Sequence, residues 1–239
     1  KAAGYRVDGV PEDGAALMDM LRAGPTNDVW RQHERSVSEE LKLIDYSAFF
    51  GALPRETQEA ALNRWGPPEG DPGYRPGELG CGAFRIAALR FGNVTVGVQP
   101  ARGYNVDPAA SYHDPALVPP HGYLAFHAWL RDSFRAHAVV HVGKHGNLEW
   151  LPGKAIALSE SCWPEAALGP LPHLYPFIVN DPGEGTQAKR RAAAVVIDHL
   201  TPPLTRAGSY GPLAALERLI DEYYEAAAQD PRRLKPLAA

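Results

Sequence analysis

Apolar positions first recur at helical spacing at Leu17, Met20 and Leu21. Pro11, Glu12 and Asp13 precede them and Gly24-Pro25 follows, so a short helix starts and stops there. Ahead of it, KAAGYRVDGV reads as a helix end, a glycine cap at Gly4 and a strand at Tyr5–Val7. Asp45 can cap a helix through Phe49 and Phe50, and Pro54 opens another from Arg55 to Trp65, closed by Gly66-Pro67-Pro68. Over 66–82 the breakers are too dense for an element, and a long loop is expected. FRIAALRF and VTVGVQ alternate around Gly92-Asn93, the pattern of a β-hairpin. From 121 onward helices and strands take turns: helix 121–135, strand Ala138–Val142, strand Tyr175–Val179, helix Thr186–Asp198, and an amphipathic helix from Leu213 to Ala227.

That alternation predicts an α/β fold, with a mainly parallel sheet, flanking helices, a β-hairpin and long Gly/Pro-rich loops. A mostly helical segment, 1–75, opens with the short strand. An α/β segment, 76–239, carries the candidate site, and the whole reads as one compact unit. The chain starts on Lys1 and reads as beginning mid-fold, as a fragment of a larger multidomain chain would.

Composition sharpens this picture in three places. The 239 residues include 23 Gly and 23 Pro, far above average usage, and shaped loops on a scaffold are where binding groups concentrate. The net charge of −4 argues against a nucleic-acid binder, whose domain would be strongly basic. Two cysteines, Cys81 and Cys162, are too few for a disulfide framework and fit a reducing, cytoplasmic setting. The apolar run Ala192–Ile197 falls far short of the roughly 20 residues of a membrane span.

If strands 138–142 and 175–179 are parallel, loops 143–153 and 180–185 leave the same sheet edge, where α/β folds bind ligands. The first lies in HVGKHGNLEWLPGK, with His141, Lys144, His145, Asn147, Glu149, Trp150 and Lys154. Two imidazoles and a carboxylate can bind a borderline metal or move protons near neutral pH. The spacing is His-x3-His-x3-Glu, not H-E-x-x-H, and Gly143, Gly146 and Pro152 argue for an irregular loop. His141 sits in an apolar strand and serves equally as a core histidine or a ligand. Lys144 and Lys154 also read as solvated surface, and Trp150 and Leu151 as loop anchors.

The second loop, NDPGEGTQAKRR, places Gly183, Glu184, Gly185 and Thr186 at a helix start, with Lys189, Arg190 and Arg191 in the next turns. Free helix N–H groups and basic side chains suit an anion, although glycines that serve only turn geometry would look the same. The formal G-x-G-x-x-A here is weak, because the distant acidic partner is missing and Glu184 would repel a pyrophosphate. No G-x-x-x-x-G-K-[ST] occurs anywhere, so ATP is not expected to bind this chain. Arg102, Tyr104 and Asn105 in QPARGYNVDP and His113 in SYHDP offer further polar groups, or plain loop structure.

HVGKHGNLEWLPGK (141–154), the run 162–208 and RFGNVTVGVQPARGYNVDPAASYHDP (90–115) strongly resemble the family of large subunits of aerobic cobaltochelatase and magnesium chelatase. The likeness covers essentially the whole chain. The magnesium branch shares the H-G-x-x-E-[WF]-x-P-G core, matched by His145, Gly146, Glu149, Trp150, Pro152 and Gly153, but carries N-N-P-S-E where NDPGEG stands here. The resemblance therefore implies the cobalt branch: a ligase forming nitrogen–metal bonds, which inserts cobalt(II) into hydrogenobyrinic acid a,c-diamide in aerobic cobalamin biosynthesis. It implies AAA+ partner subunits that hydrolyse ATP, with cobalt(II) as the substrate metal and the isolated fragment inactive.

Metallation needs a group to accept ring N–H protons and to hand over a loosely held cation. On that reasoning Glu149 is the base or transient metal ligand, with His145 also a transient ligand and His141 assisting. Arg102, Tyr104, Lys144, Asn147, Trp150, Gly183, Glu184, Gly185, Thr186, Lys189, Arg190 and Arg191 are read as substrate-binding, the basic groups facing peripheral carboxylates. Two other readings stay open: a magnesium chelatase large subunit acting on protoporphyrin IX, and a non-catalytic segment that docks partners.

Overall fold

The first helix, α1 (Gly14–Ala23), is capped by Asp13, whose carboxylate accepts from Ala16 N at 2.8 Å. Tyr46, which has no exposed surface, shows how the N-terminal part is held. It lies on α2 (Leu43–Gly51), where Tyr46, Phe49 and Phe50 fall at i, i+3 and i+4 and so share one buried face. Its ring stacks on Phe50 at 5.7 Å and meets Phe84 at 4.7 Å. Helix α3 (Arg55–Trp65) follows Pro54 and stops at Gly66, whose φ of +76° only glycine adopts freely. The computed structural model describes residues 3–28, 36, 39–103, 114, 116–143, 146–177, 181–198 and 208–229. Tyr104, Lys144, His145, Asn105 and His113 lie outside them.

Among the described residues there are three sheets. Strand β3 (Ala83–Ile86) runs antiparallel between β1 (Glu39–Lys42) and β2 (Tyr74–Arg75). Strands β4 (Ala88–Phe91) and β5 (Val94–Gly97) form the hairpin about Gly92-Asn93. The third sheet is parallel: β6 (Val139–Val140), β7 (His173–Pro176) and β8 (Val195–Ile197), with Val139 opposite His173 and Leu174 opposite Val195. Helix α4 (His121–Ala128), buried at every position but Gly122, continues as a π turn over Trp129–Ser133. Helix α5 (Trp163–Leu168) is buried except at Glu165. Together they build the main core, in which Tyr46, Phe84, Leu124, Trp129, Leu151 and Trp163 meet. Truncating one such aromatic to alanine costs about 3–5 kcal/mol.

A smaller cluster, Tyr175, Phe177, Ala188 and Ala194, joins β7 to α6 (Pro182–Arg191). The chain divides into two units, 1–198 and 199–239, and the second contains α7 (Pro212–Gln229), which exposes Leu213, Leu216 and Leu219. No helix among the described residues is long and apolar enough to cross a membrane.

Three predicted features change, and one strand is new. Residues 5–7 form no strand. Strand β1 escapes sequence reading because EELK alternates too weakly to signal a strand. The FRIAALRF run breaks at Ala87 into two strands of two sheets, so most strand pairs are antiparallel and the mainly parallel sheet is confined to β6–β8. Thr186–Asp198 is not one helix: α6 starts at Pro182, behind an Asp181 cap, and ends at Arg191. Ala193 then turns left-handed (φ 47°), and the β-branched Val195–Ile197 pairs as β8.

Candidate functional site

The parallel register sets the geometry. Strand β7 alternates buried and half-buried, so His173, Tyr175 and Phe177 point to one side. Just past β6, His141 donates its amide to Leu174 O and lays its ring on Tyr175, 4.7 Å away and 17° from parallel. His173 completes the group of rings, 6.0 Å from Tyr175 and 5.8 Å from His141. Further on the chain makes a 3-10 turn, Leu148–Trp150, which turns Glu149 inward.

Glu149 has no exposed surface, and among the described residues neither of its carboxylate oxygens has a hydrogen-bond partner. Gly146 packs directly over it. A Cβ there would lie 2.6 Å from both carboxylate oxygens and 2.7 Å from His141 Cε1, so any larger residue forces the carboxyl or the imidazole to shift. Burial raises the Glu149 pKa and the Glu184 carboxylate adds to the rise; the nearby amides of Glu149 and Gly146, outside hydrogen-bonding geometry, and Arg102 temper it.

Burial, with His173 nearby, lowers His141 to about 4. Burial also lowers His173, while the Ala192 carbonyl, 3.3 Å from its Nδ1, opposes the fall. That carbonyl requires the proton on Nδ1 and leaves Nε2 an acceptor, which has no partner among the described residues. Tyr175, whose hydroxyl also has no partner among the described residues, is pushed up to about 12, first by burial and then by Glu149 and Glu184, with the nearby Gly146 amide opposing the rise. The site is therefore a largely buried cluster of one carboxyl of raised pKa, two imidazoles of lowered pKa and a phenol.

The two predicted loops do come together. Trp150 Nε1 donates to Glu184 Oε2 at 3.4 Å, and Arg191 reaches the Glu149 carbonyl at 2.7 Å. Asn147 bridges Tyr123 and the Pro100 carbonyl, each at 2.8 Å, so it fastens the loop. Trp150 is partly exposed and Leu151 is the buried anchor. Lys189 and Arg190 are exposed on α6.

The helix start is differently occupied from the expectation of an open anion site. The side chain of Asp181 accepts from Gly183 N and Glu184 N, and its carbonyl accepts from Gly185 N. An internal carboxylate thus sits where an external one was expected, and Thr186 lies beyond these capped amides. Arg102 donates to the Trp150 carbonyl at 2.8 Å. Among the described residues no three His, Cys, Asp or Glu side chains are placed to hold a metal together.

Sequence reasoning passed over His173 and Tyr175. The signal was there: His, Tyr and Phe at every second position of HLYPF put three rings on one face of a strand. It also passed over His127, buried against Tyr123 with its Nδ1 3.0 Å from the Tyr123 carbonyl and its pKa lowered to about 4 by burial.

Residues 1–239, the whole chain, match the family described as CobN/Magnesium Chelatase. The chain belongs to that family. It is 63% identical over 235 residues, 98% of its length, to the aerobic cobaltochelatase protein CobN of Sinorhizobium sp. It is 36% identical over 228 residues, 94% of its length, to a magnesium-chelatase subunit of Chlorobaculum parvum. Among solved structures, the catalytic subunit of cobaltochelatase from Mycobacterium tuberculosis superposes with a TM-score of 0.71 at 46% identity, over 99% of this chain and 20% of that one. The chain spans 18% of the CobN relative and 17% of the magnesium-chelatase relative.

Proposed function

We propose that this chain carries the metallation site of a cobaltochelatase large subunit. It would act in insertion of cobalt(II) into hydrogenobyrinic acid a,c-diamide in aerobic cobalamin biosynthesis, with ATP hydrolysed by separate AAA+ subunits. One observation supports this above the rest: a buried carboxyl with both oxygens unpartnered among the described residues, set against an imidazole at the exit of a parallel strand. Such a group is costly to keep in a folded protein unless it serves a function.

For a corrin, the overall reaction exchanges the one inner N–H proton for the divalent cation. Glu149, as the carboxylate, accepts one proton, and its raised pKa brings its basicity closer to working pH. From Glu149 the proton leaves through His145 or water. His141, held neutral, can accept a hydrogen bond or briefly hold a cation. The carboxyl is enclosed as it stands, so a macrocycle reaches it only when the backbone at Gly146 moves aside. Lys189 and Arg190 are the basic groups of α6 exposed to peripheral carboxylates of the ring.

Higher identity to the cobalt than to the magnesium relative, 63% against 36%, favours the corrin precursor over protoporphyrin IX. Glu149→Gln in the full-length subunit, assayed with its partners, tests the site. Cobalt insertion should fall by about 10²–10⁴-fold with ring binding retained; a wild-type rate would mean that the segment only docks partners. Tryptophan-fluorescence quenching tests the ring, because tight binding of protoporphyrin IX but not of the corrin precursor sinks the cobalt reading.

A further inference from the structure

The loop that carries Glu149 has its carbonyls met one after another. Asn147 O and Leu148 O accept from Trp150 N and Leu151 N, and Pro152 O accepts from Trp163 N at 3.0 Å. Arginine side chains meet four more. Arg102 takes Trp150 O. Arg191 takes the other three: Nη1 donates to Glu149 O at 2.7 Å, Nη2 to Leu151 O at 2.8 Å, and Nε to Lys154 O at 3.0 Å.

Every side-chain nitrogen of Arg191 is therefore engaged, and one half-buried side chain fixes the loop at three places. A planar guanidinium spreads its donors widely enough to do this. A lysine ammonium, a compact point with three donors, cannot span carbonyls from 149 to 154. Arg191 is also the last residue of α6, so it binds the loop to the element that begins at Pro182.

We propose that Arg191 is a positioning residue for Glu149, not a ligand of the substrate's carboxylates. It grips the Glu149 carbonyl itself and those two and five residues on, and so keeps the carboxyl under Gly146 and beside His141. This rests on the proposed role of Glu149. Gly146 and Gly153 leave the backbone free at both ends of the segment, and a displacement of about 1 Å at a reacting group lowers rate by roughly 10²-fold.

Arg191→Lys and Arg191→Met, made in the full-length subunit and assayed with its partners, decide the matter. Both should lower kcat by about 10- to 100-fold, with KM for the tetrapyrrole changing by less than about twofold. Lysine should rescue no better than methionine. Hydrogen exchange should quicken at amides 146–154 and stay unchanged elsewhere. Lysine near wild type with methionine raising KM would make Arg191 an anion ligand and overturn the proposal. Unchanged kcat in both variants would overturn it too, as would faster exchange throughout the subunit, which marks a general folding role. If Glu149→Gln turns over normally, the role of Glu149 fails by itself, and the local exchange result still reports whether Arg191 holds the loop.

Discussion

Two buried polar groups of this molecule look alike and behave oppositely. In the helical part, Tyr46 and His121 are both fully buried, and every side-chain polar atom is matched: the Tyr46 hydroxyl lies 2.6 Å from His121 Nδ1, and His121 Nε2 lies 2.9 Å from the Gly66 carbonyl. Beside the parallel sheet, Glu149, His173 and Tyr175 are buried as well, yet each leaves a polar atom without a partner among the described residues. A satisfied pair adds stability and fixes one geometry, whereas an unsatisfied set costs stability. The difference separates a tyrosine–histidine pair that holds a core together from a cluster whose polar atoms the described residues leave unmatched.

The comparison can be broken in four ways, the largest effect first. His127 and His141 are held neutral, with pKa values lowered from 6.5 to about 4. Between those values the unfolded chain binds protons that the folded chain refuses, so local stability should fall as pH drops from about 6.5 to 4 and then level off. For the fully buried His127 the loss is about 3 kcal/mol. Opening free energies from hydrogen exchange across α4 and β6, corrected for intrinsic rates, should trace it; a flat profile would place these imidazoles in contact with solvent.

Tyr46→Phe comes next. It strands His121 Nδ1 in the core and should destabilise the α2–α4 region by about 1–3 kcal/mol, read by the same exchange measurement. Glu149→Gln should do the reverse. The folded pKa of this carboxyl is raised, so its ionised form opposes folding above that pKa. The variant should be the more stable at neutral pH, by a smaller margin, and the margin should vanish as acid protonates the wild-type carboxyl. Tyr175→Phe should be nearly silent in stability, within about 0.5 kcal/mol, because the hydroxyl that it removes has no partner among the described residues. If it costs as much as Tyr46→Phe, the two clusters are alike and the contrast fails.

What the chain disclosed of itself follows the range of the forces involved. Helix α3 was legible to the residue, since Pro54, the Arg55–Trp65 periodicity and Gly66 are all local. Glu149 was legible as an isolated carboxylate among glycines on a strand exit, and the meeting of the two loops follows from the parallel strands. Its burial was not, because that depends on Gly146 and His141 closing over it from different elements. Nor were the partners of Arg102 and Arg191. Every residue offers a carbonyl, so nothing in the side-chain order marks which ones an arginine will take. The start of α6 was misplaced because glycines in DPGEG outweighed the stronger Asp-Pro helix opening.

Gly146 carries a consequence at the level of the codon. Every amino acid reachable from a glycine codon by one base change has a Cβ, and here that atom would collide with the Glu149 carboxyl and the His141 ring together. A single base change at that codon therefore also displaces Glu149 or His141 from the arrangement described. Change in this part of the fold therefore enters more readily through the residues around Glu149, and change at 146 brings a shift at 149 or 141 with it.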